Sequence, residues 1–293
     1  MNMLFEFKNQ GQWSYICWPA LEEAGIFHGF VTRPRDASSE EEGIDFHGQA
    51  RGNLSSERGG RVPAAVKRLE GGGEAKYPRA GAPLPREGAT GYPRAGVPGI
   101  DGPIKAFSLE HHILMNQEHG DSVHLIKRGE RPTAGDGLIL LEKNVAGIVK
   151  TADCLPVLIY ALSVPAVAIV HAGWRGTALG IAGKAVRMLK ALGVSPKEMC
   201  ALIGPGIGPC CYNVQEDVAR VFREQGFGEP VVQERQGSLF LDLKAANTRM
   251  LRNEGLREIN DVDLCTFCRK DLFYSARRDK GNGRQINFAV IQA

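Results

Sequence analysis

Several features expected of membrane, secreted or nucleic-acid-binding chains are scarce in these 293 residues. Neither charge sign prevails: 36 Lys and Arg face 33 Asp and Glu, for a formal net charge of +3. No strong field therefore favours nucleic acid or an anionic membrane surface. The longest apolar runs, 138–141 and 155–162, fall far short of the ~20 residues a membrane-spanning helix needs. The first eight residues alternate and carry an early acid, unlike a signal or transit peptide, so a cytoplasmic location is expected. Cysteines number seven, an odd count at irregular spacings. That argues against a disulfide framework and for reduced thiols. Histidine is also scarce, at seven, too few for a four-copper oxidase. There is no His-x-His pair. No His is followed two residues later by Glu, as the usual zinc nucleobase deaminases require. No Walker motif occurs.

What is present is uneven. Positions 71–103 hold nine Gly and six Pro with no Phe or Trp, and Tyr-Pro-Arg-Ala-Gly appears at 77–81 and again at 92–96. Such a stretch cannot continue a helix or a central strand. Its few apolar side chains do not offset the entropy of ordering it. It is expected to be a disordered insertion within one catalytic domain spanning 1–293. A boundary between two modules is the rival, weakened by the few apolar runs of the N-terminal 70 residues.

From 104 onward, β-branched runs bounded by Gly, Pro or Asp predict strands at 137–141, 145–150, 155–161, 166–170, 200–203, 239–243 and 286–291. Helical periodicity predicts helices over 178–192, 214–225 and 243–254. Gly193 and Gly255 lie just past the ends of the first and third. The expected fold class is α+β, with mixed sheets flanked by helices.

Three segments concentrate chemistry: Asn116-Gln117-Glu118-His119-Gly120, Thr151-Ala152-Asp153-Cys154-Leu155-Pro156 and His171-Ala172-Gly173-Trp174-Arg175-Gly176-Thr177. The third leaves a strand and enters a helix, so His171 sits at a strand's carboxyl end, where α/β sheets place ligand sites. Thr177 is expected to cap the helix that follows. A thiolate with two imidazoles suits zinc or copper and leaves a fourth position for water or substrate. On spacing alone, a Cys beginning a strand is more often a small core residue and a His after one a hydrogen-bonded turn residue, and a metal-free Cys–His dyad is as compatible as a His119–Cys154–His171 metal site. Arg175 is a substrate clamp or a salt-bridge partner. The run 204–209 resembles a phosphate loop, but its two prolines remove donors, and a rigid turn fits better. Cys265-Thr266-Phe267-Cys268 and Cys210-Cys211 contain four thiols between them. A second CxxC at zinc-ribbon spacing is lacking, so structural zinc is a minority reading here. Ser275-Ala276-Arg277-Arg278-Asp279 ends in a basic pair able to meet an anion. His111, His112 and His124 are read as surface or packing residues.

Eight strings occur in the order of a known family. They are His28-Gly29-Phe30-Val31-Thr32-Arg33, Gln117-Glu118-His119-Gly120, Thr151–Pro156, His171–Gly176, Ile203-Gly204-Pro205, Leu241-Asp242-Leu243, Cys265-Thr266 and Ser275–Asp279. The chain resembles the YfiH-like family, also called the polyphenol oxidase or laccase-domain family, over about 1–33 and 104–293. The resemblance implies a metal held by His119, Cys154 and His171. It implies zinc-dependent purine nucleoside phosphorylase activity on adenosine, inosine and methylthioadenosine, with adenosine deaminase activity. Two departures stand out. The family's Ser-Leu-Asn-like segment has only Asn53-Leu54 as a counterpart, and Ala276 stands where Tyr is usual.

With that resemblance, the expected substrates are a purine nucleoside and phosphate, with no nucleic-acid or membrane partner. Zinc is the expected cofactor, with copper possible in the same site. Arg33, Arg175 and Arg278 are candidates for binding phosphate. Asp136 and Asp153 are candidates for orienting a ligand or moving a proton, beside Cys154 and Arg175 as catalytic candidates. The competing readings are a copper-dependent phenol oxidase, a metal-free cysteine hydrolase using Cys154 and His171, and a non-enzymatic binding module built on the repeats.

Overall fold

Alternation along the strands sets the layers. In β2 (Trp13–Cys17), Trp13, Tyr15 and Cys17 face one side while Ile16 faces the other. The last strand, Gln285–Ile291, divides the same way: Ile286, Phe288 and Val290 on one face, Ala289 and Ile291 on the other. Apolar residues on both faces make these strands interior to a layered structure.

The structure is a computed structural model and describes residues 5–34, 101–109, 111–127, 129–161 and 164–292. These all belong to one compact unit. The strands run β1 (Glu6–Gln10), β2, β3 (Ile26–Val31), β4 (His112–Leu114), β5 (Val123–Ile126), β6 (Gly137–Leu140), β7 (Ala146–Thr151), β8 (Leu155–Ala161), β9 (Ala166–Ala172), β10 (Met199–Ile203), β11 (Asn213–Val214), β12 (Val232–Arg235), β13 (Ser238–Leu241), β14 (Glu258–Asp261) and β15 (Gln285–Ile291). The helices are α1 (Pro19–Glu23), α2 (Asp101–Ala106), α3 (Trp174–Ala178), α4 (Ile181–Ala191), α5 (Glu216–Glu224) and α6 (Leu243–Asn253).

Two six-stranded mixed sheets form the frame, in the orders β1-β2-β3-β15-β7-β4 and β14-β10-β8-β9-β6-β5, with a small β11-β13-β12 sheet beside them. The main core lies between the large sheets. Ile16, Phe30, Val149 and Ile291 of the first meet Leu138, Leu158, Ile169 and Leu202 of the second. Gly147 permits the close approach: a Cβ there would stand 3.0 Å from Ile169 and 3.1 Å from Leu140. A second cluster, with Trp13, Tyr15, Ile148 and Phe288, covers the first sheet's other face under Phe107 and Ile104. Helix α4 packs on β9 and against α6 on the outer face of the second sheet.

The expected α+β class with mixed sheets holds. The Asn53-Leu54 candidate and the Pro/Gly stretch up to residue 100 lie outside the described residues. The end of that stretch is corrected. Residues 101–103 open α2, and Pro103 fits because the first turn of a helix has no intrahelical partner for its N–H. The predicted helix 178–192 is also divided. Gly180, at φ +82°, separates α3 from α4. No helix among the described residues is long and apolar enough to cross a membrane.

Candidate metal centre

Strand register assembles the site. β9 runs antiparallel to both neighbours, so its carboxyl end lies beside the amino ends of β6 and β8. Val170 pairs with Gly137, His171 with Pro156, and Ala172 with Leu155. Asp136, just ahead of β6, and Cys154, just ahead of β8, therefore meet His171. His119 arrives from the loop after β4.

That loop is wrapped around one carboxylate. Asp136 Oδ1 accepts from the His119 N–H at 3.0 Å and from His171 Nδ1 at 2.8 Å. Its Oδ2 accepts from the N–H groups of Gly120 at 2.8 Å and Glu118 at 3.2 Å. The His171 N–H also donates to the Asp136 carbonyl at 2.7 Å. His119 takes a left-handed φ of +59° to complete the loop. Gln117 fastens the loop to β7: its amide donates to the Lys150 carbonyl at 2.7 Å and accepts from the Lys150 N–H at 2.8 Å.

One donor atom each from His119, Cys154 and His171 lies within 4.8 Å of the others. The two imidazole rings meet edge-on at 4.8 Å. Because Nδ1 of His171 is engaged with Asp136, its Nε2 lone pair is left for a ligand. A carboxylate behind a coordinating histidine is the usual support of a metal ligand. Burial pushes the Cys154 thiol up, but the charge of His171 and hydrogen bonds from both histidines outweigh it and bring it down to about 6. Burial alone lowers His171, yet the Cys154 thiolate and Asp136 carry it up to about 9. Burial likewise raises Asp136, and its bonds to His171 and the loop N–H groups hold it below the usual carboxylate range. The donor set of one thiolate and two imidazoles fits zinc or copper with a fourth position open. Gly173 makes room for it: a Cβ there would fall 2.9 Å from Cys154 Sγ and 3.4 Å from the His119 ring.

Other sequence expectations change. Both oxygens of Asp136 are committed to the loop and to His171, so it is a positioning residue and not a proton carrier. Asp153 is also a tether. Its Oδ1 accepts from Thr266 Oγ1 at 2.7 Å, and its Oδ2 from Ser275 Oγ at 3.0 Å and the Arg277 N–H at 2.9 Å. Its left-handed φ of +88° turns the chain into Cys154. Arg278 is not an anion binder. All five of its N–H groups are used, on the Thr266, Phe267 and Phe273 carbonyls and on both oxygens of Asp279. Thr177 does not cap a helix. It lies inside α3, capped instead by Gly173, and its hydroxyl accepts from Asn247 Nδ2 at 3.0 Å. Arg175 lies half-buried in α3, 4.5 Å from the centre of the Trp174 ring. Arg33 stacks 4.8 Å from the Tyr274 ring and donates to the Lys270 carbonyl at 3.0 Å. His111 is exposed, while His112 and His124 bond the Leu109 and Ala134 carbonyls.

Sequence reasoning passed over Gln117, Thr266 and Ser275 as holding groups. Each lies in a segment singled out for another residue, and the signal was a short polar side chain beside a presumed functional one.

The family model described as multi-copper polyphenol oxidoreductase laccase matches residues 104–292. A purine nucleoside phosphorylase YlmD of Geobacillus stearothermophilus is 36% identical over 200 residues, covering 62% of this chain and 73% of the relative. A purine nucleoside phosphorylase of Aquifex aeolicus is 37% identical over 176 residues, covering 60% and 80%. Among solved structures, YlmD from Geobacillus stearothermophilus superposes with a TM-score of 0.71 at 26% identity, covering 99% of this chain and 100% of that one. Bacillus licheniformis hypothetical protein YfiH gives 0.70 at 26%, covering 98% and 99%. The match over most of the chain, with the His119–Cys154–His171 cluster inside it, makes this chain a member of the YfiH-like, laccase-domain family.

Proposed function

We propose that the chain is a zinc-dependent purine nucleoside phosphorylase, acting on adenosine, inosine and methylthioadenosine, with adenosine deaminase activity at the same centre. The observation that carries the reading is the converging donor set of His119, Cys154 and His171, backed by Asp136. Relatives that carry the name purine nucleoside phosphorylase support it. One catalytic domain over 1–293 is part of the same reading.

His119, Cys154 and His171 hold the zinc, which supplies Lewis acidity toward an oxygen of a reactant. Asp136 fixes the His171 tautomer and the path of the His119 loop. Arg175, in the turn that starts at Gly173, meets phosphate, and Arg33 adds positive charge from the β3 exit. In phosphorolysis the bond between the base and ribose C1′ breaks as a phosphate oxygen bonds to C1′. The products are the free base and ribose 1-phosphate. Incubation with adenosine, with and without phosphate, tests the reading: phosphate-dependent adenine release is expected, and its absence would overturn it.

Two other readings each have one observation in favour. The same donor set accepts copper, which suits a copper-dependent phenol oxidase; oxygen uptake with a phenol by copper-loaded protein, lost after stripping and reloading with redox-inert zinc alone, would favour that alternative. The thiolate–imidazolium character of Cys154 and His171 suits a metal-free cysteine hydrolase. Retained activity in a chelated, folded sample, lost on alkylation of Cys154, would establish that alternative.

A further inference from the structure

Four cysteines outside the proposed reaction are gathered by the sheet. β10 and β14 are parallel neighbours, with Ile203 opposite Asp261. The chains leaving their carboxyl ends continue side by side. The Val262 N–H donates to the Ile203 carbonyl at 3.1 Å, and the Thr266 N–H to the Gly206 carbonyl at 3.0 Å. Gly206 and Cys265 form a parallel bridge. Cys210-Cys211 on one exit and Cys265 with Cys268 on the other are thereby brought face to face.

All four sulfurs lie within 4.8 Å of one another. Cys268 Sγ is 3.3 Å from Cys211 Sγ and 3.7 Å from Cys210 Sγ. A tetrahedron with metal–sulfur bonds of about 2.3 Å has sulfur–sulfur edges of about 3.8 Å. The Gly208 N–H donates to Cys265 Sγ at 3.3 Å, a contact that favours the thiolate over the thiol. Neutral thiols are weak hydrogen-bonding groups, and four of them give little reason for two loops to converge. Among the described residues, no histidine, Asp or Glu belongs to the cluster. Four thiolates fill every tetrahedral position, which is the arrangement of a structural zinc site.

We propose that Cys210, Cys211, Cys265 and Cys268 form a second, tetrathiolate metal site that binds zinc and staples the 204–213 loop to the 262–279 segment. The staple lies next to the groups that hold Asp153. Thr266 sits between two of the ligands and bonds the Asp153 carboxylate, while Ile207 donates to the Asp153 carbonyl at 2.8 Å. The site buttresses the wall that presents Cys154 without taking part in the reaction.

The test uses the full chain carrying Cys154→Ala, which removes the only thiolate of the His119–Cys154–His171 centre. Purified with reductant and loaded with cobalt, it should take up a tightly held equivalent with sulfur-to-cobalt charge-transfer bands and strong tetrahedral visible bands. Zinc-loaded protein should show four sulfur neighbours at about 2.3 Å by X-ray absorption. Adding Cys265→Ser should abolish the cobalt bands. No cobalt uptake in the Cys154→Ala chain would overturn the proposal. So would bands that survive Cys265→Ser, or a Cys211–Cys268 disulfide that takes up no metal after reduction. If the double variant fails to fold, mercurial titration of the zinc-loaded Cys154→Ala chain decides. Release of one zinc in step with four thiols is expected, and release unrelated to thiol modification overturns the site. Because Cys154 is absent throughout, these outcomes are independent of phosphorylase activity.

Discussion

The His119–Cys154–His171 cluster and the four-cysteine cluster are built in opposite ways. The first has His171 and Cys154 at the ends of central strands and His119 on a loop tied to Asp136, is mostly imidazole, and has that buried carboxylate behind it. The second joins two loops, is all sulfur, and has two exposed members, Cys210 and Cys268. Strand ends fix ligand positions through the register of many backbone bonds, so one coordination position can stay open without the site collapsing. Loops lack that rigidity, and a closed four-ligand site supplies it. The difference separates a place for chemistry from a fastening.

The largest expected effect breaks the first cluster and leaves the second. Cys154→Ala should lower phosphorolysis by about 10³-fold or more, since the lost Lewis acid is worth several kcal/mol. Steady-state assays with adenosine and phosphate measure it, while the tetrathiolate metal stays bound. Next, alkylation of metal-stripped protein should separate the thiols. Thiolate forms as pH rises through the pKa, so Cys154 should react half-maximally near pH 6, whereas burial and neighbouring thiols push Cys210 up to about 11. Lower basicity also lowers nucleophilicity, leaving a net rate ratio at neutral pH of about 10²-fold. Peptide mass mapping over a pH series gives both rates.

Asp136→Asn keeps the shape but replaces an acceptor oxygen that either His171 or the loop N–H groups require. Metal affinity should fall by about 10–100-fold, read by competition with a chelating dye, with the cobalt spectrum of the four-cysteine site unchanged. The smallest effect belongs to Cys268→Ser. It should remove the second metal and lower Tm by about 2–4 °C for each kcal/mol of stapling lost. A scanning calorimeter measures this, and phosphorolysis should persist. If Cys268→Ser instead removed activity as completely as Cys154→Ala, the division between chemistry and fastening would fail.

The strands were legible because their periodicity is local. The run 155–161 is β8 as read, and 166–170 differs only by the two residues that carry β9 on to Ala172. The triad was not legible from spacing. Its members lie far apart in sequence, and only the antiparallel register around β9 joins them; family resemblance identified them instead. Of the two roles the sequence left open for Asp136 and Asp153, orienting a ligand or moving a proton, the bonds of Asp136 to His171 fit the first, and the choice was hidden for a physical reason. A carboxylate that accepts loop N–H groups and one that moves protons are the same residue type in the same motif, and only the count of filled lone pairs distinguishes them. Arg278 is the cationic counterpart, with its donors already spent on carbonyls and Asp279. The four-cysteine cluster was half legible. Both pairs were named together as a source of four thiolates, but without a second CxxC no spacing announced that the parallel β10–β14 pairing brings them face to face.

The order of the first sheet has a consequence for how the chain is made. β15 lies between β3 and β7 and pairs with both along most of its length. During synthesis β1, β2 and β3 emerge early, yet they have no partner on β7 until residues 285–291 leave the ribosome. Until then the sheet stays in two pieces, each with a bare apolar edge of the kind that chaperones recognise and that pairs wrongly with other chains. Ribosome-bound chains halted before residue 285 should therefore be sticky and protease-sensitive, and the final strand acts as the latch of biosynthesis.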